Sequence, residues 1–252
     1  MSIASDFERD GFVVLDTGLS EETLDAARLA EGPLQPDQYH WNKAGRRVFE
    51  GWKTSQAVRK VVYAPRVCEA LVELYGGTCL PFQTINFDKP TQQRLHQDRI
   101  HFDSWGIGGG CVGVWVALED VGPENGSLAY VPKSHLLGGL GWQELGFEMQ
   151  EVGKQYEAYT RYEDEMEKRA RFFGGKKPLV AKKGQAFIWG LHLLHGGWKA
   201  DDPMRSRWSM VSHYAIPESG RLWAPMFSDP AQGIVKWKKT GWFTREGEVR
   251  SL

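Results

Sequence analysis

The pattern of apolar and polar positions predicts a chain built mainly from short β-strands. Residues 82–87 alternate between apolar and polar side chains, as a strand with one buried face does. Residues 111–118 are almost continuously apolar, which is typical of a strand buried on both faces. The Asn125-Gly126 pair marks a turn after this run. Further strands are predicted at 127–132, 184–189 and 207–216.

Helical patterns occupy the N-terminal third of the chain. Ser20 is a favourable N-cap, and Glu21 and Glu22 place negative charge in the first turn that follows it. Between residues 53 and 76 the apolar positions recur with a period near 3.6, which predicts one helix ending at Gly76-Gly77. These positions are Val58, Val61, Val62, Val67, Ala70, Leu71 and Leu74.

Residues 137–180 are predicted to be an insertion between two halves of the β-structure. Acidic residues crowd its first part and basic residues its second, which favours a solvated helix face with compensating charges. At the mouth of a site such a segment would be able to close over substrate as a lid. A second interpretation stays open, in which Lys176 and Lys177 bind the phosphates of a CoA-linked or carrier-linked substrate.

Composition places the chain among compact intracellular enzymes. Its 252 residues, 41% hydrophobic and 25% charged, suffice for a single domain over residues 1–252 with one core. The net charge of −1 gives no general attraction to nucleic acid or to an anionic membrane. The start lacks the features of a signal peptide, no apolar run approaches the roughly 20 residues of a membrane span, and the three cysteines suit a reducing compartment. We therefore expect a cytoplasmic protein.

Candidate metal chemistry lies in His96-Gln97-Asp98 and in a distant histidine, His195. Two histidines and one carboxylate are the ligands of a mononuclear non-haem iron(II) site, which leaves positions open for a co-substrate and dioxygen. On an extended segment, residues two apart face the same side, so one ion can reach both His96 and Asp98. Arg207 adds a fixed cation suited to bidentate capture of a carboxylate.

Several motifs, in the same order along the chain, resemble the phytanoyl-CoA dioxygenase family. The similarity covers roughly residues 5 to 216. It is carried by Phe7–Asp16, Gln92–Asp98, Val114–Asp120, Glu124–Leu128, Val131–His135 and Leu194–Gly197. The resemblance implies a mainly β protein with flanking helices and a double-stranded β-helix (jelly-roll, cupin-like) core. It also implies that the chain begins with a short helix leading into a strand.

The resemblance further implies the cofactors and most site residues. Iron(II) would be bound by His96, Asp98 and His195, the 2-oxoglutarate carboxylate by Arg207, and dioxygen would complete the reaction. Arg207-Trp208-Ser209 has the family's Arg-x-Ser form, which makes Ser209 a second co-substrate residue. Related halogenases have Gly or Ala at the carboxylate position, so Asp98 favours hydroxylation of a small molecule, or desaturation, cyclisation or epoxidation, over halogenation.

Rival residues exist for each ligand. His101-Phe102-Asp103 is a second His-x-Asp, His192 precedes His195 and Arg205 precedes Arg207. The family pattern favours the first pair, and Gly196-Gly197 favours His195 because small residues allow close approach. His135 and His213 are expected to be structural.

The remaining site predictions concern the cavity wall. Gln83 is expected near the co-substrate, and aromatic residues suggest an apolar or ring-containing small-molecule substrate, without CoA. The predicted substrate residues are His101, Phe102, Trp105, Trp115 and Trp198. An alternative is a metal-binding cupin that isomerises or binds a ligand without turning over 2-oxoglutarate.

Overall fold

Two antiparallel sheets form the body of the protein in the computed structural model, which describes residues 2–32, 45–102, 110–140, 145–146, 155–216, 222–223, 238–239 and 241–251. The larger sheet has the order β1-β7-β4-β9-β3-β2. In that order its strands are Phe12–Asp16, Gln185–Gly190, Cys111–Ala117, Ser209–Ala215, Leu80–Phe87 and Arg47–Phe49. The smaller sheet has the order β6-β5-β8, with strands Lys177–Pro178, Leu128–Tyr130 and His195–Gly197.

Each strand predicted from the pattern of apolar residues is present, with ends shifted by one to two residues. Strand β4 occupies the predicted run 111–118 and is buried along its whole length. Its side chains alternate between two cores: Val112, Val114 and Val116 pack against helices, whereas Trp115 and Ala117 face the space between the sheets. A strand with both faces covered has no polar face, which explains its continuous apolar sequence.

Two short antiparallel strand pairs follow the sheets near the C-terminus. They pair β10 (Leu222–Trp223) with β11 (Lys238–Lys239), and β12 (Gly241–Phe243) with β13 (Val249–Ser251).

Helices cover the outer face of the larger sheet. They are α1 (Ile3–Asp10), α2 (Glu21–Arg28), α3 (Gln56–Val62) and α4 (Pro65–Tyr75). The expected start is confirmed, because α1 leads through Gly11 into β1. Ser20 caps α2 as predicted, its hydroxyl accepting a hydrogen bond from the Thr23 amide at 3.3 Å.

The prediction of one helix over residues 53–76 is wrong. The segment forms a 3-10 turn at Gly51–Lys53 and then two helices, α3 and α4. Pro65 is the first residue of α4, and Ala64 before it has an extended ψ of 127° because a proline disfavours helical geometry in its predecessor. The apolar period correctly marked the buried face, and Gly76 ends α4 with a positive φ.

Two more helices belong to the region around the metal-ligand candidates. The short helix α5 (Arg99–Phe102) follows Asp98 directly, and α6 (Gln155–Arg171) lies within the predicted insertion. Helix α6 buries Tyr159, Tyr162 and Met166 in a core shared with Leu95 and Ile100. The insertion therefore packs on the segment that carries His96 and Asp98. Within the described residues, none of the helices has the length and apolar character to cross a membrane.

Candidate active site

The three predicted metal ligands come together in the structure. His96 and His195 exchange backbone hydrogen bonds of 2.9 and 3.0 Å, which aligns their side chains. Asp98 Oδ1 lies 4.0 Å from His96 Nε2 and 3.6 Å from His195 Nε2. All three side chains are buried, and their candidate ligand atoms lie within 4.8 Å of one another. This is a compact two-histidine, one-carboxylate face.

Backbone contacts orient both imidazoles. The Arg94 carbonyl accepts a hydrogen bond from His96 Nδ1 at 2.9 Å, and the Leu193 carbonyl accepts one from His195 Nδ1 at 3.1 Å. A ring that donates through Nδ1 presents the lone pair of Nε2, which is the form that binds a metal. Both histidines therefore present the Nε2 lone pair toward Asp98, and the Gln93 side-chain amide nitrogen lies 3.4 Å from His96 Nε2.

Small residues allow the segments of the two histidines to approach each other. A Cβ atom added to Gly196 would lie 2.7 Å from the Gln93 carbonyl oxygen, and one added to Gly197 would lie 2.8 Å from the backbone of Gln92. Larger residues at these two positions would therefore clash with the neighbouring segment, which explains the glycine pair noted in the sequence.

The segment between the first two ligands is anchored by Gln97. Its side-chain amide donates to the carbonyls of Gly138 at 2.9 Å and His192 at 2.6 Å, and its backbone amide donates to the Tyr162 hydroxyl at 2.9 Å. Gln97 therefore ties the ligand segment to the loop before His195 and to helix α6.

Burial and neighbouring charges set the protonation of these groups. Burial by itself raises the pKa of Asp98, but the facing imidazoles of His195, His213 and His96 outweigh it and hold that pKa below its usual range. Burial and the nearby His195 lower the pKa of His96 well below its ordinary value. At neutral pH the site therefore offers an ionised carboxylate and a neutral His96, the forms that bind a cation.

A buried arginine lies at the other end of the cavity. Arg207 is 4% exposed, donates to the Ser209 hydroxyl at 2.7 Å and to the Lys89 carbonyl at 3.2 Å, and packs over the ring of Trp115. Its Nε is buried with no hydrogen-bond partner among the residues that the structure describes. The rival Arg205 lies exposed in a bend. The structure thus places Arg207 and Ser209 together, as the Arg-x-Ser motif predicted.

Sequence analysis missed a second cation, Arg47. It lies on β2, and its guanidinium and that of Arg207 both pack over the ring of Phe87, at 5.1 and 5.3 Å from the ring centre. Burial, and the nearby Arg47 cation, lower the pKa of Arg207 to about 10, so Arg207 remains charged at neutral pH. No local motif marks Arg47, because only the pairing of β2 with β3 brings it to this end of the cavity.

These groups line one cavity of about 310 Å³ between the sheets. The structure places Gln83, His101, Phe102 and Trp115 in its wall, as predicted. Trp198 instead lines a separate surface depression beside Lys176, so the structure does not bring it into this cavity. Asp103 and Trp105 lie outside the described residues.

The other histidines differ in how close they lie to the triad. His101 contacts the Tyr159 hydroxyl at 3.4 Å, and burial lowers its pKa to about 4. His135 contacts the Glu8 carbonyl at 2.9 Å, consistent with the structural role expected for it. His213 differs from the expectation of a purely structural role, because it lines the cavity with Nε2 3.6 Å from Asp98 Oδ2.

The second oxygen of Asp98 has a donor that sequence analysis also missed. Trp189 Nε1 donates to Asp98 Oδ2 at 2.9 Å, and the indole packs against the ring of His195 with centroids 4.7 Å apart. Trp189 was predicted only as part of a strand. The contact depends on how strands lie beside one another, which a single sequence does not reveal.

Comparison with known proteins agrees with this geometry. A sequence model of the family described as "Phytanoyl-CoA dioxygenase (PhyH)" matches residues 7–199. The chain belongs to this family. No curated protein matches it in sequence. The resemblance inferred from the motifs is confirmed, and the match contains His96, Asp98 and His195.

Solved structures share the fold at low sequence identity. The epimerase SnoN in complex with Fe3+, alpha ketoglutarate and nogalamycin RO is 18% identical, with a TM-score of 0.65 over 96% of this chain and 94% of that one. The alpha ketoglutarate dependent carbocyclase SnoK is 17% identical, with a TM-score of 0.62 over 89% of this chain and 86% of that one. The non-heme monooxygenase ThoJ is 19% identical, with a TM-score of 0.56 over 89% and 80%.

These likenesses confirm the predicted jelly-roll fold of the protein. The cofactors that the resemblance implied, iron and 2-oxoglutarate, are also those that the SnoN structure holds. Epimerase, carbocyclase and monooxygenase on one fold show that the fold alone does not determine the reaction.

Proposed function

We propose that this family member is an Fe(II)- and 2-oxoglutarate-dependent dioxygenase that hydroxylates a C–H bond of a small organic molecule. One observation carries the proposal: a His-Asp-His face and a buried arginine line the same cavity. The first is a donor set for iron, and the second is a receptor for the far carboxylate of a dicarboxylate co-substrate.

The residues fit an iron(II) ion. His96 and His195 direct Nε2 toward Asp98 Oδ1, so the donor set combines one carboxylate with two imidazoles. Ligand atoms on one face of an ion, each about 2.1 Å from it, lie roughly 3 Å apart, so the 4.0 and 3.6 Å separations from Asp98 close by a small side-chain movement when an ion binds. Three protein ligands leave the remaining positions of an octahedral ion open for reactants.

When bound, iron(II) with 2-oxoglutarate and dioxygen supplies oxidation of a C–H bond, with succinate and carbon dioxide as co-products. Arg207 binds and orients the far carboxylate of 2-oxoglutarate, and Ser209 fixes the guanidinium for that contact. Arg47 adds a second cation at this end of the cavity. Phe87 and Trp115 keep this end apolar, which excludes water and strengthens the ion pair.

The substrate is expected at the other side of the metal position. His101 and Phe102 line the cavity there, immediately after Asp98, and Phe102 packs against His213 with centroids 4.9 Å apart. Aromatic walls with few polar groups favour a small apolar or ring-containing molecule. Lys176 packs over the Trp198 ring outside this cavity, so, within the described residues, the lysine predicted to bind a CoA-linked substrate does not line it.

The alternative function is a metal-binding cupin that isomerises or binds a ligand without using 2-oxoglutarate. The open Nε of the buried Arg207 favours the oxygenase, because a buried guanidinium without a full set of partners is costly unless an anion completes it. Cyclisation and epimerisation remain competitors of hydroxylation among 2-oxoglutarate-dependent reactions, and the product distinguishes them.

The test measures succinate. Protein reconstituted with iron(II) is given ¹³C-labelled 2-oxoglutarate and ¹⁸O₂, with a panel of small ring-containing molecules. We expect succinate only when iron and dioxygen are both present, and one ¹⁸O atom in the product. Succinate with a product that lacks ¹⁸O would replace hydroxylation by another oxidation, and iron binding without succinate would favour the cupin alternative.

Two matched variants test the ligand assignment. Asp98→Ala removes the only carboxylate of the face, so we expect loss of stoichiometric iron binding and of succinate formation. Asp103→Ala removes the rival carboxylate and is expected to retain both. If Asp103→Ala loses the metal and Asp98→Ala keeps it, the assignment is wrong.

A further inference from the structure

We propose that Trp189, resting on Gly113, is a positioning residue that holds the outer oxygen of Asp98, so that this carboxylate binds metal through Oδ1 alone. The inference deepens the proposed function, because it rests on the same metal site. Trp189 Nε1 donates to Oδ2 at 2.9 Å, whereas Oδ1 faces the Nε2 atoms of His96 and His195. The two oxygens of one carboxylate therefore have different partners.

The register of three neighbouring strands creates this arrangement. Gly113 on β4 pairs with Trp189 on β7 and with His213 on β9, so the three residues lie in one row across the sheet. A Cβ atom added to Gly113 would lie 2.4 Å from the Trp189 indole carbon Cζ2. Glycine at the middle of the row therefore gives the indole the space in which to lie across β4 and reach Asp98.

Glycine in the interior of a buried strand is otherwise unfavourable. It lacks a side chain to pack and loses more backbone entropy on folding than alanine does. Strand β4 is apolar and fully buried on either side of Gly113, so the sheet itself gives no reason for a gap there. The approach of the indole does give one.

His213, at the other end of the row, also restricts the position of Asp98 Oδ2. Its Nε2 lies 3.6 Å from Asp98 Oδ2, and its ring meets the Trp189 ring edge-on, with centroids 6.4 Å apart. Rotation of Oδ2 toward the histidine ligands would break the indole hydrogen bond. A carboxylate held in this way occupies one coordination position and leaves about three for reactants on an octahedral ion.

The inference is tested with Mn(II) alone, before any substrate is known. Mn(II) affinity and the number of metal-bound waters, from water-proton relaxation, are measured for wild type, Trp189→Phe and Gly113→Ala. We expect about three waters in wild type, and a 10–100-fold loss of affinity with about one water fewer in both variants, since groups that orient a metal ligand have effects of this size. Trp52→Phe, which removes a buried indole stacked on Phe243 in the helix-side core, is the matched control and should change neither quantity.

A second substitution separates the hydrogen bond from packing. Replacing Trp189 by benzothienylalanine keeps the shape of the side chain and puts sulfur in place of the N–H group. The same loss of a bound water is expected, with an unfolding midpoint like that of wild type. If this isostere keeps wild-type Mn(II) affinity and water number, the proposal is overturned. If instead wild-type Mn(II) protein never exchanges water for 2-oxoglutarate, the proposed function fails while the role of Trp189 stands.

Discussion

Single residues determine the chemistry of this site, and only some of them leave a local trace in the sequence. The spacing His96-Gln97-Asp98 was predictable because period-2 geometry and metal-ligand chemistry both constrain neighbours in the chain. Trp189 and Arg47 were not, since each acts through strands that are distant in sequence and adjacent in the sheet. Residue type alone predicted a structural role for His213, whereas its position facing Asp98 depends on strand pairing.

Arg207 has a testable role at this scale. We expect Arg207→Ala to raise the Kd for 2-oxoglutarate by roughly 10²–10³, because removing one partner of a buried ion pair costs about 3–5 kcal/mol. We expect the increase in Kd to lie toward the lower end of this range, since the Arg47 cation remains nearby. Isothermal titration of the Mn(II)-loaded protein measures it.

Arg205→Ala is the matched control for that prediction, because Arg205 is exposed in a bend and should leave the Kd within about two-fold. An unchanged Kd for Arg207→Ala would place the carboxylate receptor elsewhere.

Among the elements, helix α6 packs on the metal-ligand segment. Its Tyr162 hydroxyl accepts from the Gln97 amide, and its Asp164 pairs with Arg94 at 2.7 Å. The sequence showed the separation of charge within this insertion. It did not show which face of the helix packs toward the metal-ligand segment. Residues 141–144 and 147–154 lie outside the described part of the chain, and closure of the insertion as a lid stays a prediction.

Glu163 on α6 gives a pH-dependent prediction. Burial raises the pKa of Glu163 from 4.5 to about 7, although Arg94 partly opposes the shift. The folded state therefore holds a proton that the unfolded state loses above pH 4.5, so this group weakens the fold as pH rises from 4.5 to 7. Glu163→Gln should remove this loss of stability. The melting temperature of the variant minus that of wild type should therefore increase from pH 5 to pH 8.

Calorimetry at several pH values measures this difference. Glu157→Gln, on the exposed face of α6, is the control and should run parallel to wild type. A constant difference between Glu163→Gln and wild type over this pH range would contradict the protonation argument.

At the scale of the whole molecule, strands of the two sheets line the cavity that contains the metal position. The strands predicted from apolar patterning are all present, because burial on one or both faces leaves a period that local sequence records. Their order, β1-β7-β4-β9-β3-β2, comes from long-range pairing and was not predicted, whereas the family resemblance indicated the jelly-roll core. The break at Pro65 was missed because the apolar period continues across it.

Metal binding should stabilise the folded state of the protein. A ligand that binds only the folded state at 100 times its Kd adds about 2.7 kcal/mol to the free energy of unfolding. We expect Mn(II) at that concentration to raise the melting temperature of wild type, and the effect to disappear in His195→Ala, which lacks one ligand. Lys199→Ala, at an exposed position outside the cavity, should keep it. Equal stabilisation of His195→Ala and wild type would show that the ion binds elsewhere.

The reciprocal backbone hydrogen bonds between His96 and His195 join segments from the two halves of the chain. Closing so long a loop is slow and entropically unfavourable until the intervening strands have formed. We therefore expect the two histidines to meet only after the intervening strands have paired, so that the metal face forms together with the completed fold and not before it.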